Sequence, residues 1–186
     1  MIGLCAEHGV PILRNSDDAG VWFRRATNSD RQTAQRLVDA ALREYGLHVL
    51  LDSSDIDLTD LEGHYDLRGG RFELLESASS EPLGVLGWRP AADDDGACVV
   101  ELKKLYLAPA ARGRGLGRRA LDRVVAAARD LGARAVVLET AAVLGEANRL
   151  YTRFGFVPVR GAQAASFATL SDQCDLAYRL ELATPS

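Results

Sequence analysis

The sequence predicts a single α/β domain. Three observations predict it: strand and helix patterns succeed one another along 186 residues, no repeat or low-complexity tract interrupts them, and one strand pattern runs through a glycine-rich turn straight into a helix. That length suits one domain with a substantial buried core.

Composition narrows the function classes. Lysine and arginine number 22 against 26 aspartate and glutamate, a net charge of −4, which argues against a nucleic-acid-binding surface over the whole protein and leaves local basic clusters open. Cys5, Cys98 and Cys174 are far apart in the chain and odd in number, so the reading is neither a disulfide framework nor a zinc site but a reducing, cytoplasmic setting. His8, His48 and His64 add no metal-ligand spacing, and no metal is expected. No apolar run approaches the ~18 residues of a membrane helix, and the start M-I-G-L-C-A-E-H lacks a signal-peptide pattern, so no membrane partner is expected.

Residues 1–20 show no sustained period and are read as a poorly ordered or loosely docked extension, with I-G-L-C a candidate edge strand; the domain proper is 21–186. V-W-F-R-R-A-T (21–27) reads as the first strand, and N-S-D (28–30) supplies N-cap chemistry through Ser29 or Asp30. Ala34, Leu37, Val38, Ala41 and Leu42 then recur at helical spacing until Gly46. An acidic stretch, 52–60, leads into a short helix ending near Arg68. Gly69-Gly70 precede a hairpin of R-F-E-L-L-E-S and L-G-V-L-G-W-R, and D-D-D-G (93–96) makes a further turn. The longest strand candidate spans 97–107, a helix runs from Gly117 to Leu131, and Gly132 stops it. A-V-V-L-E-T (135–140), a short helix around A-N-R-L-Y, F-V-P-V and the alternating C-D-L-A-Y-R-L-E-L (174–182) complete the chain.

The turn R-G-R-G-L-G (112–117) carries the chemistry. The first amides of a helix lack intrahelical partners, and the macrodipole places partial positive charge there. Glycines let an anion approach with no Cβ in the way. Arg112, Arg114, Arg118 and Arg119 add charge that would be unfavourable at that end unless something anionic sat nearby. Neither the dinucleotide fingerprint nor the P-loop fits, because Arg118 stands where each needs glycine. A tight turn with solvated arginines and a phosphate-binding protein of another kind both remain open at this point.

R-G-R-G-L-G fits R/Q-x-x-G-x-G/A, and its context E-L-K-K-L-Y-L-A-P-A-A-R-G-R-G-L-G-R-R-A-L resembles strand four, the pyrophosphate loop and the following helix of the GNAT superfamily of acyl-CoA-dependent N-acetyltransferases. V-V-L-E-T…A-N-R-L-Y-T-R-F-G-F-V-P-V is similar to that family's fifth strand and the helix with its Asn and Tyr. The resemblance implies a twisted, mostly antiparallel mixed sheet of about six to seven strands with about four helices. Strands four and five would run parallel and splay apart, with the pantetheine arm of the cofactor in the gap. Val100 and Leu102 fall on even positions and Leu105 and Leu107 on odd ones; a β-bulge gives such a phase slip, and Lys103 and Lys104 lying across an exposed stretch give it equally.

Acetyl transfer from a thioester to an amine needs a base, because a lysine-like amine titrates near ~10.4, a donor for the carbonyl oxygen and a proton for the leaving thiolate. The resemblance implies acetyl-CoA as cosubstrate and assigns the parts. Backbone groups of Leu105, Tyr106 and Leu107 would hold pantetheine and polarise the carbonyl. Arg112, Gly113, Arg114, Gly115, Leu116, Gly117 and Arg118 would hold the pyrophosphate. Asn148 would bond the cofactor and Tyr151 would protonate the sulfur. For Tyr151 the alternative is packing beside Leu150 and Phe154, and for Asn148 an ordinary surface polar residue. Glu101 is the candidate base, directly or through water, against a solvated or salt-bridging role; Glu139 competes. Asp52, Asp55, Asp57 and Asp60 are read either as an attractor for a cationic amine or as a solvated, helix-capping run. Tyr45 and Trp88 are candidates to line the pocket. The expected activity is N-acetylation of an amine acceptor in a ternary complex, with no covalent enzyme intermediate. A non-catalytic acyl-CoA sensor is the alternative, and dimers are common for such a fold.

Overall fold

Hydrophobic alternation and helical periodicity resolve into seven strands and four α-helices in the computed structural model, which describes residues 20–159 and 173–183. The expectations for an N-terminal extension and edge strand lie outside the described residues. In chain order the elements are β1 (Val21–Arg25), α1 (Arg31–Arg43), α2 (Leu61–His64), β2 (Arg71–Ser77), β3 (Pro82–Ala92), β4 (Cys98–Leu107), α3 (Leu116–Asp130), β5 (Ala135–Thr140), α4 (Gly145–Phe154), β6 (Val157–Val159) and β7 (Leu176–Glu181). The strand order is β1-β2-β3-β4-β5-β7-β6. Pairing is antiparallel at β1–β2, β2–β3, β5–β7 and β6–β7 and parallel at β4–β5. This is the mixed sheet that the family resemblance implies. The parallel ladder comprises Val100↔Val136, Glu101↔Val137 and Leu102↔Leu138, although β4 runs on to Leu107. Among the described residues, no helix is long and apolar enough to cross a membrane.

Two compact units emerge. One holds Lys104–Gly117 with the described part of Pro11–Trp88, the other Arg89–Lys103 with the described part of Arg118–Ser186. In the first, the helical stripe read from the sequence is buried: Ala34, Val38 and Leu42 of α1 join Leu61 and Tyr65 against Phe72 and Leu74 of β2 and Val85 of β3. Burying such side chains contributes roughly 1.5–3 kcal/mol each. Capping differs from expectation. Asp30 does not accept from the helix that follows but reaches back to the Thr27 amide at 2.9 Å, and it also receives Arg24, whose Nη2 lies 2.9 Å away. The Arg24 guanidinium, with help from the Thr27 amide, holds Asp30 below the ordinary carboxylate range.

In the second unit, Val99, Ala135 and Val137 form a small apolar cluster, and α3 buries Leu121, Val124 and Ala128. The turn after β3 is anchored by Asp93, whose side chain is 1% exposed. Its Oδ1 accepts from the amides of Asp95 (3.2 Å) and Ala97 (3.0 Å), while Oδ2 meets Arg134 and, at 3.5 Å, Arg179 of β7. Cys98 is disulfide-bonded, which the reading of scattered cysteines in a reducing setting did not anticipate. Separation along the chain sets no limit on what meets in the fold.

Candidate active site

The glycine turn follows directly from its backbone requirements. β4 ends at Leu107, a 3₁₀ turn occupies Pro109–Ala111, and Arg112 is extended at φ −75°, ψ 159°. Gly113 and Gly115 then adopt φ +72° and +75°, in the left-handed region that other L-residues enter at a cost of roughly 1–2 kcal/mol. Among the described residues, a Cβ at either would meet no atom within 4 Å. These glycines therefore answer to the backbone turn and leave open space beside it. Leu116 begins the 15-residue α3, whose first turn contains no acidic residue, so the positive end of its dipole goes uncompensated by the helix itself. Gly113, Arg114 and Gly115 are exposed; Leu116 is buried and pins the helix start.

The arginines around this turn have distinct partners. Arg112 donates from Nε to the Leu107 carbonyl at 3.0 Å and from Nη1 and Nη2 to the two carboxylate oxygens of Glu44 at 2.6 and 2.7 Å. That guanidinium holds the Glu44 carboxyl below its usual range. Arg118 lies over the Phe154 ring, 5.6 Å from its centroid, and 3.9 Å from Asp122. Leu105, Tyr106 and Leu107 are half-buried, and Tyr106 packs against the α1–β2 core. β3 approaches this segment so closely that a Cβ at Gly84 would come within 2.6 Å of the Tyr106 carbonyl oxygen. Arg112 thus joins the predicted pantetheine segment to the predicted pyrophosphate turn through Leu107.

Lys104 overturns the picture of two exposed lysines on β4. Its side chain is 5% exposed, with Nζ 3.1 Å from Asp55 and 3.2 Å from Asp57. Desolvation works to lower its pKa, but the two carboxylates outweigh it and hold the ammonium above the ordinary lysine range. Tyr65 donates its hydroxyl to Asp57, and Asp55 accepts from the Leu50 amide at 2.9 Å. Asp55 and Asp57 are therefore neither solvated nor an open attractor for a cationic amine; a buried cation on β4 already engages both. Asp60 does cap α2, accepting from Gly63 at 3.0 Å. Asp52 is exposed. The described register irregularity falls between Leu75 and Glu76 of β2.

The remaining candidates belong to the other unit. Glu101 is not on a solvated face: its side chain is 8% exposed and bridges Arg89 at 2.8 Å and Lys103 at 3.5 Å. Asn148 and Tyr151 stand three residues apart on α4, on one helical face. The Asn148 amide nitrogen donates to the carbonyls of Ala141 (3.0 Å) and Ala142 (3.3 Å), which fixes its orientation. Among the described residues, its Oδ1 is buried with no hydrogen-bond partner. Asn148 is thus not an ordinary surface residue; it presents an orphaned acceptor, whose burial is costly unless something donates to it. Tyr151 is buried at 6% exposure. Its ring lies 5.9 Å from Phe156 and 6.1 Å from Tyr178, so its packing neighbours include two aromatics beyond α4. Tyr178, on β7 between Ala177 and Arg179, is a further buried phenol besides Tyr65 and Tyr151; its place in an alternating strand marked it only as core. Glu139 lies on β5, paired in register with Ala177. Trp88 is buried at 3% exposure and Tyr45 is half-buried.

Known proteins resemble this chain in sequence and in fold. Residues 34–156 match the Acetyltransferase (GNAT) family. An uncharacterized N-acetyltransferase of Escherichia coli K12, YjgM, is 32% identical over 136 residues, covering 72% of this chain and 80% of that protein. A GNAT-family acetyltransferase from Staphylococcus aureus Mu50 superposes with a TM-score of 0.78 at 20% identity, covering 88% of this chain and 99% of that one. The yncA protein of Salmonella typhimurium, solved with its cofactor acetyl-CoA, has a TM-score of 0.65 at 20% identity, covering 90% and 96%.

Proposed function

Because this chain belongs to the GNAT family of acetyltransferases, we propose that it transfers an acetyl group from acetyl-CoA to a primary amine by direct attack in a ternary complex. The observation that carries the reading is the turn at 112–117. Two left-handed glycines leave empty space where any other side chain would stand, at the uncompensated N-terminus of a long helix. The orphaned Oδ1 of Asn148 is an acceptor of the kind a pantetheine amide N–H would satisfy, as the family resemblance implies.

In this reading, amides from Gly113 to Arg118 bind the pyrophosphate and backbone groups of Leu105–Leu107 orient pantetheine and polarise the thioester carbonyl. Asn148 accepts from the cofactor. Glu101, directly or through water, takes a proton from the ammonium of the acceptor. The freed amine forms the C–N bond, the C–S bond breaks, Tyr151 gives its phenolic proton to the departing sulfur, and the second proton, released by the acylated nitrogen as it becomes the amide, returns Tyr151 to its neutral form.

A screen of amines with acetyl-CoA, read by release of free thiol, tests the activity. Thermal shifts compare donors, since a ligand at 100-fold its Kd stabilises by ~2.7 kcal/mol. Stabilisation by ATP and not by acetyl-CoA would rule out the donor, and acetyl-CoA binding without turnover of any amine would replace catalysis by sensing. Tyr151→Phe keeps the ring among Phe156 and Tyr178 and removes one oxygen. The expected outcome is a fall of roughly 10²–10⁴ in kcat with acetyl-CoA affinity retained. Turnover within about threefold of wild type would return Tyr151 to a packing role.

A further inference from the structure

Glu44 sits at the wrong end of its helix. It is the C-cap of α1, where the macrodipole disfavours a carboxylate. A cation must compensate it, and the one that does is the first residue of the glycine turn, 68 residues away in sequence. The contact is a two-pronged fork, with Nη1 and Nη2 of Arg112 each on its own oxygen of Glu44 at 2.6 and 2.7 Å. The third guanidinium nitrogen, Nε, holds the Leu107 carbonyl at 3.0 Å. The Arg112 backbone is fixed as well, its amide donating to Pro109 at 3.2 Å. All three side-chain nitrogens are thus engaged by protein at the point where the chain enters Gly113 and Gly115.

We infer that Glu44 is a positioning residue for acyl-CoA binding: it clamps Arg112 as a strut between the end of α1, the end of β4 and the glycine turn, so that the following amides face the pyrophosphate. The inference rests on the acetyl-CoA reading above. It replaces one detail carried over from the family resemblance, in which the Arg112 side chain adds its charge to the phosphate site. A planar fork suits the strut role, because lysine at 112 would provide only a point charge.

The two roles predict opposite signs for one substitution. If Arg112 is a strut, Glu44→Gln loosens the turn and weakens acetyl-CoA binding by about 3- to 5-fold, the range of a partly exposed ion pair. If Arg112 is a phosphate ligand held back by Glu44, the same substitution frees it and tightens binding. Calorimetry with acetyl-CoA on the intact chain reads the sign. Two further variants separate positioning from general loss of stability. Glu44→Asp, which keeps the carboxylate, should recover part of the loss, and Glu44→Gln should add nothing in an Arg112→Lys background. Affinity in Glu44→Gln equal to or tighter than wild type overturns the inference, as does an equal loss in Glu44→Asp. Failure of the wild-type chain to bind acetyl-CoA would instead sink the donor reading, and the strut with it.

Discussion

Two basic stretches lie close together in this chain and do opposite things. K-K at 103–104 and R-G-R-G-L-G-R-R at 112–119 look alike as clusters of positive charge. Yet Lys104 is buried between Asp55 and Asp57, while Arg114 and Arg118 stand exposed around a turn with space for a ligand. The difference lies in where compensation comes from. The buried cation is neutralised by its own fold and its charge is unavailable to anything else. The exposed cluster surrounds a helix start with no acid in its first turn, an end of the dipole that favours negative charge.

The largest expected effect breaks the buried side of this contrast. Lys104→Met would leave two buried carboxylates without their cation, a loss of about 3–5 kcal/mol and about 6–20 °C in Tm for a chain of this size. Adding Asp55→Asn and Asp57→Asn should restore most of it, since a neutral replacement of a whole buried ion cluster is often tolerated. A shift under about 1 kcal/mol for the single variant would show that Lys104 is no more than a surface ion pair. The sign with pH follows from the raised Lys104 pKa. Its contribution is full below the unfolded lysine value and is lost only as pH rises through the still higher folded value. Thermal melts from neutral pH to about 9, below the lysine range, should show no loss from this cluster.

On the exposed side, Gly115→Asp should nearly abolish acetyl-CoA binding in a folded protein, because a carboxylate would occupy the open space beside the turn. Gly115→Ala isolates the backbone cost of φ +75° from the charge, and unchanged calorimetric affinity in the Asp variant would dismiss the turn as the pyrophosphate site. The smallest effect sharpens the contrast. Arg114→Ala should weaken acetyl-CoA binding by only about twofold and lose even that at high salt, as one exposed charge screened over about 8 Å does.

These contrasts also mark what the sequence could carry. The strands, helices and glycine turn were legible because period, caps and left-handed glycines are local properties: Gly46, Gly69, Gly96 and Gly132 all close elements at positive φ. The partners of charged residues were not, because they are set by tertiary contact. Lys104 shares the even parity of Val100 and Leu102 on β4, and the acidic run also carries Leu58, which is fully buried; together these were the available signal for a buried pair. Arg112 was legible as part of a motif, but its pairing with Glu44 was not, since nothing in either neighbourhood points to the other. For Asn148, the motif supplied the residue, and only the fold supplied the orphaned oxygen.

Asp93 has a consequence for the order in which the second unit can be completed. The turn it anchors joins β3 and β4, neighbours in sequence whose closure costs little chain entropy. Its carboxylate, however, is buried against Arg134, just before β5, and Arg179 of β7, both of which arrive from much later in the chain. Until they dock, the early hairpin keeps that carboxylate in water. The turn is therefore quick to form but cannot be sealed alone, so its burial is tied to the arrival of the last strand, and the unit closes cooperatively rather than piece by piece.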